Sequence, residues 1–102
     1  MRMLMHLHFP PEPFNTAVRD GSVGAKIQRI LGAIKPEAAY FTEQDGKRGA
    51  TLIVNVSKPA DVPVLAEPFF LMFDAAVKFR VCMTPEELAA ANLDKLGKEW
   101  RQ

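Results

Sequence analysis

AAYFTEQDGKRGATLIVNV, residues 38–56, reads as a β-hairpin. Asp45-Gly46 supplies its two-residue turn, because glycine accepts the positive φ that primed turns demand. Beyond the turn, Leu52 to Val56 is rich in β-branched residues, as a strand should be. Centred on Asp45-Gly46, the hairpin pairs Phe41 with Ala50 and Tyr40 with Thr51.

Upstream, Met1, Met3, Met5, Leu7 and Phe9 alternate with Arg2, Leu4, His6 and His8. That period of two predicts a first strand with one polar face. Pro10, Pro11 and Pro13 end it, since proline cannot continue a ladder. Asn15 can cap a short helical turn, which Asp20-Gly21-Ser22 interrupts. Val23, Ile27, Ile30, Leu31 and Ile34 then fall on one helical face, in a helix closed before Pro36.

Downstream, residues 57–73 hold a second helix that starts near Asp61 with Pro63 in its first turn. Pro68 is expected to kink or split it. Val77 to Met83 alternates again and gives a fourth strand. Thr84-Pro85-Glu86-Glu87 is a capping box, opening a last helix that carries Leu88, Leu96 and Trp100.

Two right-handed crossovers joining four strands give the antiparallel order 4-1-3-2. Alternation suggests a register in which Met5 meets Val54 and Val81, Leu7 meets Leu52 and Phe79, and Phe9 meets Ala50 and Val77. Every partner on that face is apolar, and a one-residue slip would mix the faces. The opposite face collects Arg2, His6, His8, Tyr40, Thr51, Asn55, Lys78, Arg80 and Cys82, with Leu4 and Ile53 among them. In this register Tyr40, Thr51, His8 and Lys78 form one row, Ile53, His6 and Arg80 the next, and Cys82 comes diagonally beside His6.

With 102 residues the chain has room for one domain, spanning 1–102. A formal charge of +1 gives no long-range field that would favour a polyanion. The single cysteine excludes an internal disulfide framework and suits a reducing compartment. No apolar run approaches the ~20 residues of a membrane span. The amino terminus alternates where a signal peptide would be unbroken, so it is read as a strand and the protein as cytoplasmic.

Leu52–Val56, a helix leading into Glu67-Pro68-Phe69-Phe70, then Val77-Lys78-Phe79-Arg80-Val81 and a capped carboxy-terminal helix make a familiar order. It resembles the dimeric α+β barrel superfamily of ferredoxin-like proteins, which includes muconolactone isomerase-like and small monooxygenase-like members. The resemblance covers most of the chain in element order and length and carries no catalytic motif with it. It implies an α+β, ferredoxin-like βαββαβ fold whose open sheet face meets a second copy, forming a homodimer around a pocket. It also makes cofactor-independent isomerase or monooxygenase-type chemistry an expectation, with no cofactor required.

The polar face holds the candidate chemistry. His6 and His8 lie two apart on one strand face, roughly 6.5–7 Å apart. Histidine is the side chain suited to proton transfer near neutral pH, so both are candidate catalytic residues. Arg80, Tyr40, Lys78, Asn55 and Thr51 are candidate ligand-binding residues, with Arg80 or Lys78 holding an anion or stabilising an enolate. Each has a plainer reading: paired surface histidines, and an arginine and tyrosine anchoring an interface. A His6, His8 and Cys82 zinc site is conceivable, but no HxxxH or CxxC spacing supports it. Nucleic acid is not an expected partner, because the open-face positions of the third strand are Thr51, Ile53 and Asn55 and offer no stacking aromatics. Two non-catalytic readings stand beside the enzyme: a ligand-binding homodimer and a purely structural one.

Overall fold

Alternation in the first strand puts Met3, Met5, Leu7 and Phe9 on the buried side and leaves Leu4, His6 and His8 half-buried on the other. In the computed structural model, which describes residues 1–101, this strand is β1 (Arg2–Phe9). It is followed by α1 (Pro11–Arg19), α2 (Val23–Ile34), β2 (Ala38–Gln44), β3 (Lys47–Asn55), α3 (Asp61–Phe73) and β4 (Ala76–Val81). Two short helices, α4 (Pro85–Ala89) and α5 (Leu93–Trp100), complete the chain. The sheet is antiparallel with order β2-β3-β1-β4, the expected topology. The fold is α+β and ferredoxin-like.

The hairpin forms as its turn residues dictate. Asp45 and Gly46 both have positive φ, 54° and 76°, and Tyr40 faces Thr51 while Phe41 faces Ala50. The central register differs from expectation by two residues. Met5 lies opposite Leu52 and Phe79, Leu7 opposite Ala50 and Val77, and Phe9 opposite Arg48. A two-residue slip keeps every side chain on its face, so alternation cannot detect it. At the far end of this register the Met1 ammonium donates to the Val56 carbonyl at 2.7 Å and to Asn55 Oδ1 at 2.9 Å.

The core lies between the central strands and the helices. Leu52, Val54, Phe69 and Phe73 are buried against the apolar face of β1. The Phe9 ring sits 5.2 Å from Phe14 and 5.6 Å from Phe73, centroid to centroid, in tilted and edge-on contacts. Arg48 faces Glu43 across the ladder but its side chain turns away. Its guanidinium donates to Asn15 Oδ1 at 2.6 Å and covers the Phe14 ring at 4.5 Å, where the ring face attracts the cation. Phe79, expected in the core, is half-exposed because β4 is an edge strand only partly roofed by helices.

Several boundaries depart from expectation. Helix α1 begins at Pro11 with Pro10 at its N-cap position, so Asn15 lies inside it and does not cap it. Helix α3 runs unbroken through Pro68; the hydrogen bond lost is to the carbonyl of Val64, a residue 67% exposed and within reach of water. Strand β4 stops at Val81 rather than Met83. The last helix is two helices, divided at Asn92, which adopts φ 54° and caps α5 by accepting from the Lys95 amide at 3.3 Å. The capping box at Thr84 is formed: the Glu87 amide donates to Thr84 Oγ1 at 3.1 Å, and the Thr84 amide donates to Glu87 Oε1 at 2.9 Å. These bonds to Thr84 hold the Glu87 carboxyl below its ordinary range.

Helices α4 and α5 bury no residue. They stand out from the body as an arm. The radius of gyration is 17.4 Å, against about 13 Å for a compact chain of this length, and the long dimension is 60 Å.

Candidate functional site

The open sheet face gathers the polar residues in three rows. Tyr40, Thr51, His6 and Lys78 form one, Ala38, Ile53, Leu4 and Arg80 the second, and Thr42, Gly49, His8 and Ala76 the third. The two-residue register difference thus moves His6 into the row expected for His8, sends His8 to a third row and puts Leu4 beside Arg80.

His6, His8, Lys78, Arg80 and Gln44 line one cavity of about 430 Å³, with Leu7 and Ala76 completing its lining. His6 is held from behind: its Nδ1 lies 3.1 Å from Thr51 Oγ1. That contact fixes the ring plane and leaves the other ring nitrogen without a protein partner among the described residues. Among the same residues neither Lys78 nor Arg80 forms an ion pair, and no carboxylate lines the cavity. Two positive charges therefore share a concave surface with nothing of opposite sign, which favours an anion there.

The other candidates fall outside this cavity. Thr51 stands beside His6 on the neighbouring strand and is not among the cavity's lining residues. Tyr40 lies beyond Thr51 on the edge strand and is 66% exposed. Asn55 sits at the far end of the sheet, bonded to the Met1 ammonium. Cys82 is not beside His6: its Sγ contacts the Arg2 carbonyl at 3.6 Å. The three-ligand zinc alternative therefore fails on placement, and no group of three metal-ligating side chains occurs among the described residues.

Gln44 was not singled out by sequence reasoning. It belongs to the hairpin tip, yet its side chain reaches the cavity by crossing Gly49, which has no Cβ to stop it. The signal was present: a glycine inside a strand marks a close approach of chains. A Cβ at position 49 would lie 3.2 Å from the Leu7 carbonyl oxygen and 3.6 Å from Gln44 Cβ. Gly49→Val should therefore lower stability by about 1–3 kcal/mol in urea titration, as overpacking does. A neutral result would mean that the crossing is loose.

No family model matches the chain, and no curated protein matches it in sequence. Among solved structures, the chain is similar to 5-chloro-2-hydroxyhydroquinone dehydrochlorinase (TftG) from Burkholderia phenoliruptrix AC1100, in complex with 2,5-dihydroxybenzoquinone. The TM-score is 0.59 and the identity 17%, over 84% of this chain and 97% of that one. At that identity the likeness is one of fold. No helix among the described residues is long and apolar enough to cross a membrane.

Proposed function

We propose that this protein binds a small organic anion, planar and oxygen-rich, in the cavity between β1 and β4, within a homodimer formed by open sheet faces. The observation that carries the reading is the pairing of Lys78 and Arg80 on one concavity with His6 and His8 and without a carboxylate. Arginine and lysine recognise carboxylate, phenolate and enolate oxygens, and the imidazoles supply further polar contacts to the same molecule. The ligand of the structural neighbour, 2,5-dihydroxybenzoquinone, belongs to this chemical class. Pairing of sheet faces supports the reading in a second way. Leu4 and Ile53 are only half-buried and Tyr40 is exposed, so a second sheet would cover apolar surface and exclude water from the cations.

An enzymatic reading is favoured by one contact. The hydroxyl of Thr51 orients His6, as a positioned base requires. In that reading His6, or His8 beside it, withdraws a proton from a carbon next to a carbonyl while Arg80 meets the developing enolate oxygen. This is cofactor-independent proton transfer, the common ground of isomerase and monooxygenase-type chemistry. Without turnover the same pocket is a carrier or sensor site.

Calorimetric titration with 2,5-dihydroxybenzoquinone and with benzoate, beside sedimentation at tens of micromolar, tests the proposal. Dimer is expected, with one ligand bound per chain and affinity falling as salt rises. A monomer, or no heat from either compound at millimolar concentration, would overturn it.

A further inference from the structure

Among the described residues, the fold leaves uncovered an apolar stripe on α5 and an apolar groove between α2 and α3. Leu93, Leu96 and Trp100 fall at i, i+3 and i+7, with exposures of 57%, 39% and 80%, while Asp94, Lys95, Lys98 and Glu99 take the other side. An isolated helix of this length is unstable in water, and most helical stability comes from packing an amphipathic face. Both α4 and α5 are nonetheless prepared for helix formation, α4 through the Thr84 capping box and α5 through the Asn92 cap. Among the described residues no hydrogen bond or ion pair given by these helices reaches the sheet or the body helices. The second surface is a groove of about 680 Å³ between α2 and α3, on the side of the sheet away from the histidines. Ile30, Ala33, Val64, Pro68 and Leu71 line it, and Val64 and Leu71 are 67% and 82% exposed.

We infer that these surfaces belong together in trans: α5 of one copy seats in the α2–α3 groove of a second copy, with Trp100 as the anchor. The spacing of the α5 anchors is that of helices that bind in grooves. Ala33 and Pro68 leave the groove room for an indole, and large aromatics dominate such contacts. Charge agrees at one rim. Arg29 stands on the groove's lining, and Glu99 borders the apolar stripe of α5 about 100° around the helix from Trp100, so this rim charge has an opposite on the incoming helix. A second copy rather than the same chain is indicated by the arm's direction, since it extends the molecule to 60 Å instead of folding back. A lipid surface is a poorer occupant, because the polar side of α5 carries two acids against two bases and so lacks the basic bias of interfacial helices.

The chain has one tryptophan, so its fluorescence reports this contact alone. On concentrating the full-length protein, Trp100 emission should move to shorter wavelength and become protected from iodide quenching. Leu71→Glu changes a surface residue, and circular dichroism checks that the fold survives. It should abolish the shift and weaken the arm-mediated association at least about tenfold, which is 1.4 kcal/mol. Adding a Trp100→Phe chain with an intact groove to the Leu71→Glu chain should restore the shift, because the donor groove then lies on another molecule. Emission that stays red at every concentration would overturn the inference, as would a shift independent of concentration or one that Leu71→Glu leaves intact. A sedimentation dimer with Trp100 still exposed would overturn the arm docking and leave the proposed sheet-face dimer standing.

Discussion

Leu52→Ala should lower the unfolding free energy by about 2–5 kcal/mol, the usual cost of truncating a buried leucine and leaving a cavity. Leu52 has no exposed surface; it faces Met5 and Ala39 across the ladders, beneath the helical layer. Its neighbour Thr51 points to the other face, and Thr51→Ala removes a few atoms and one contact to His6, a cost of about 0.5–1.5 kcal/mol. Urea midpoints for the two variants rank the faces of the sheet directly. Should Thr51→Ala prove the more damaging, the buried and open faces are assigned the wrong way round, and the cavity with them.

Arg80→Ala should weaken the binding of an anionic ligand by about 10- to 150-fold, the range expected for losing a hydrogen bond to a charged group worth about 1.5–3 kcal/mol. Thermal stability should hardly change, because Arg80 is exposed and no ion pair of this chain depends on it among the described residues. Arg80→Lys separates two contributions. It retains the charge and loses the planar fork, so a partial loss would indicate bidentate recognition of the anion. Calorimetry on the three proteins, with a neutral analogue as control, decides the matter. Equal weakening for the neutral analogue would show that Arg80 acts through packing, and a large fall in Tm would show that it holds the fold.

The faces of the sheet were legible from residues 1–9 and 38–56 because side-chain direction alternates strictly and the hairpin turn fixes one register. The register of the central pair was not legible to within two residues. Met3, Met5, Leu7 and Phe9 are all apolar, as are Ala50, Leu52 and Val54, so shifted pairings satisfy the same hydrophobic rule. That ambiguity decided the site's details. It placed Cys82 near His6 on paper, whereas the fold sets it against Arg2. His6, His8, Lys78 and Arg80 line one cavity in spite of the shift, because a cavity between two strands samples two or three rows at once. Gln44 was hidden for another reason: its approach depends on a missing Cβ in the neighbouring strand rather than on its own pattern. The division at Asn92 escaped because an asparagine in the left-handed region is a small local choice inside an otherwise helical stretch.

The uneven roof over the sheet has a consequence for how the site would respond to a ligand. The two imidazoles stand on β1, which is laddered on both sides and backed by the aromatic cluster. The two cations stand on β4, hydrogen-bonded along one edge only, with Val77 and Phe79 half-covered and Val81 55% exposed. Local opening is cheapest where buried contacts are fewest, so β4 should breathe while β1 stays fixed. One wall of the cavity is a rigid template and the other a compliant flap. An anion gripped by Lys78 and Arg80 and resting against His6 would stitch the flap to the template. Part of its binding free energy would go into ordering that edge, and a loose edge strand of the apo protein would become one of its firmer ones.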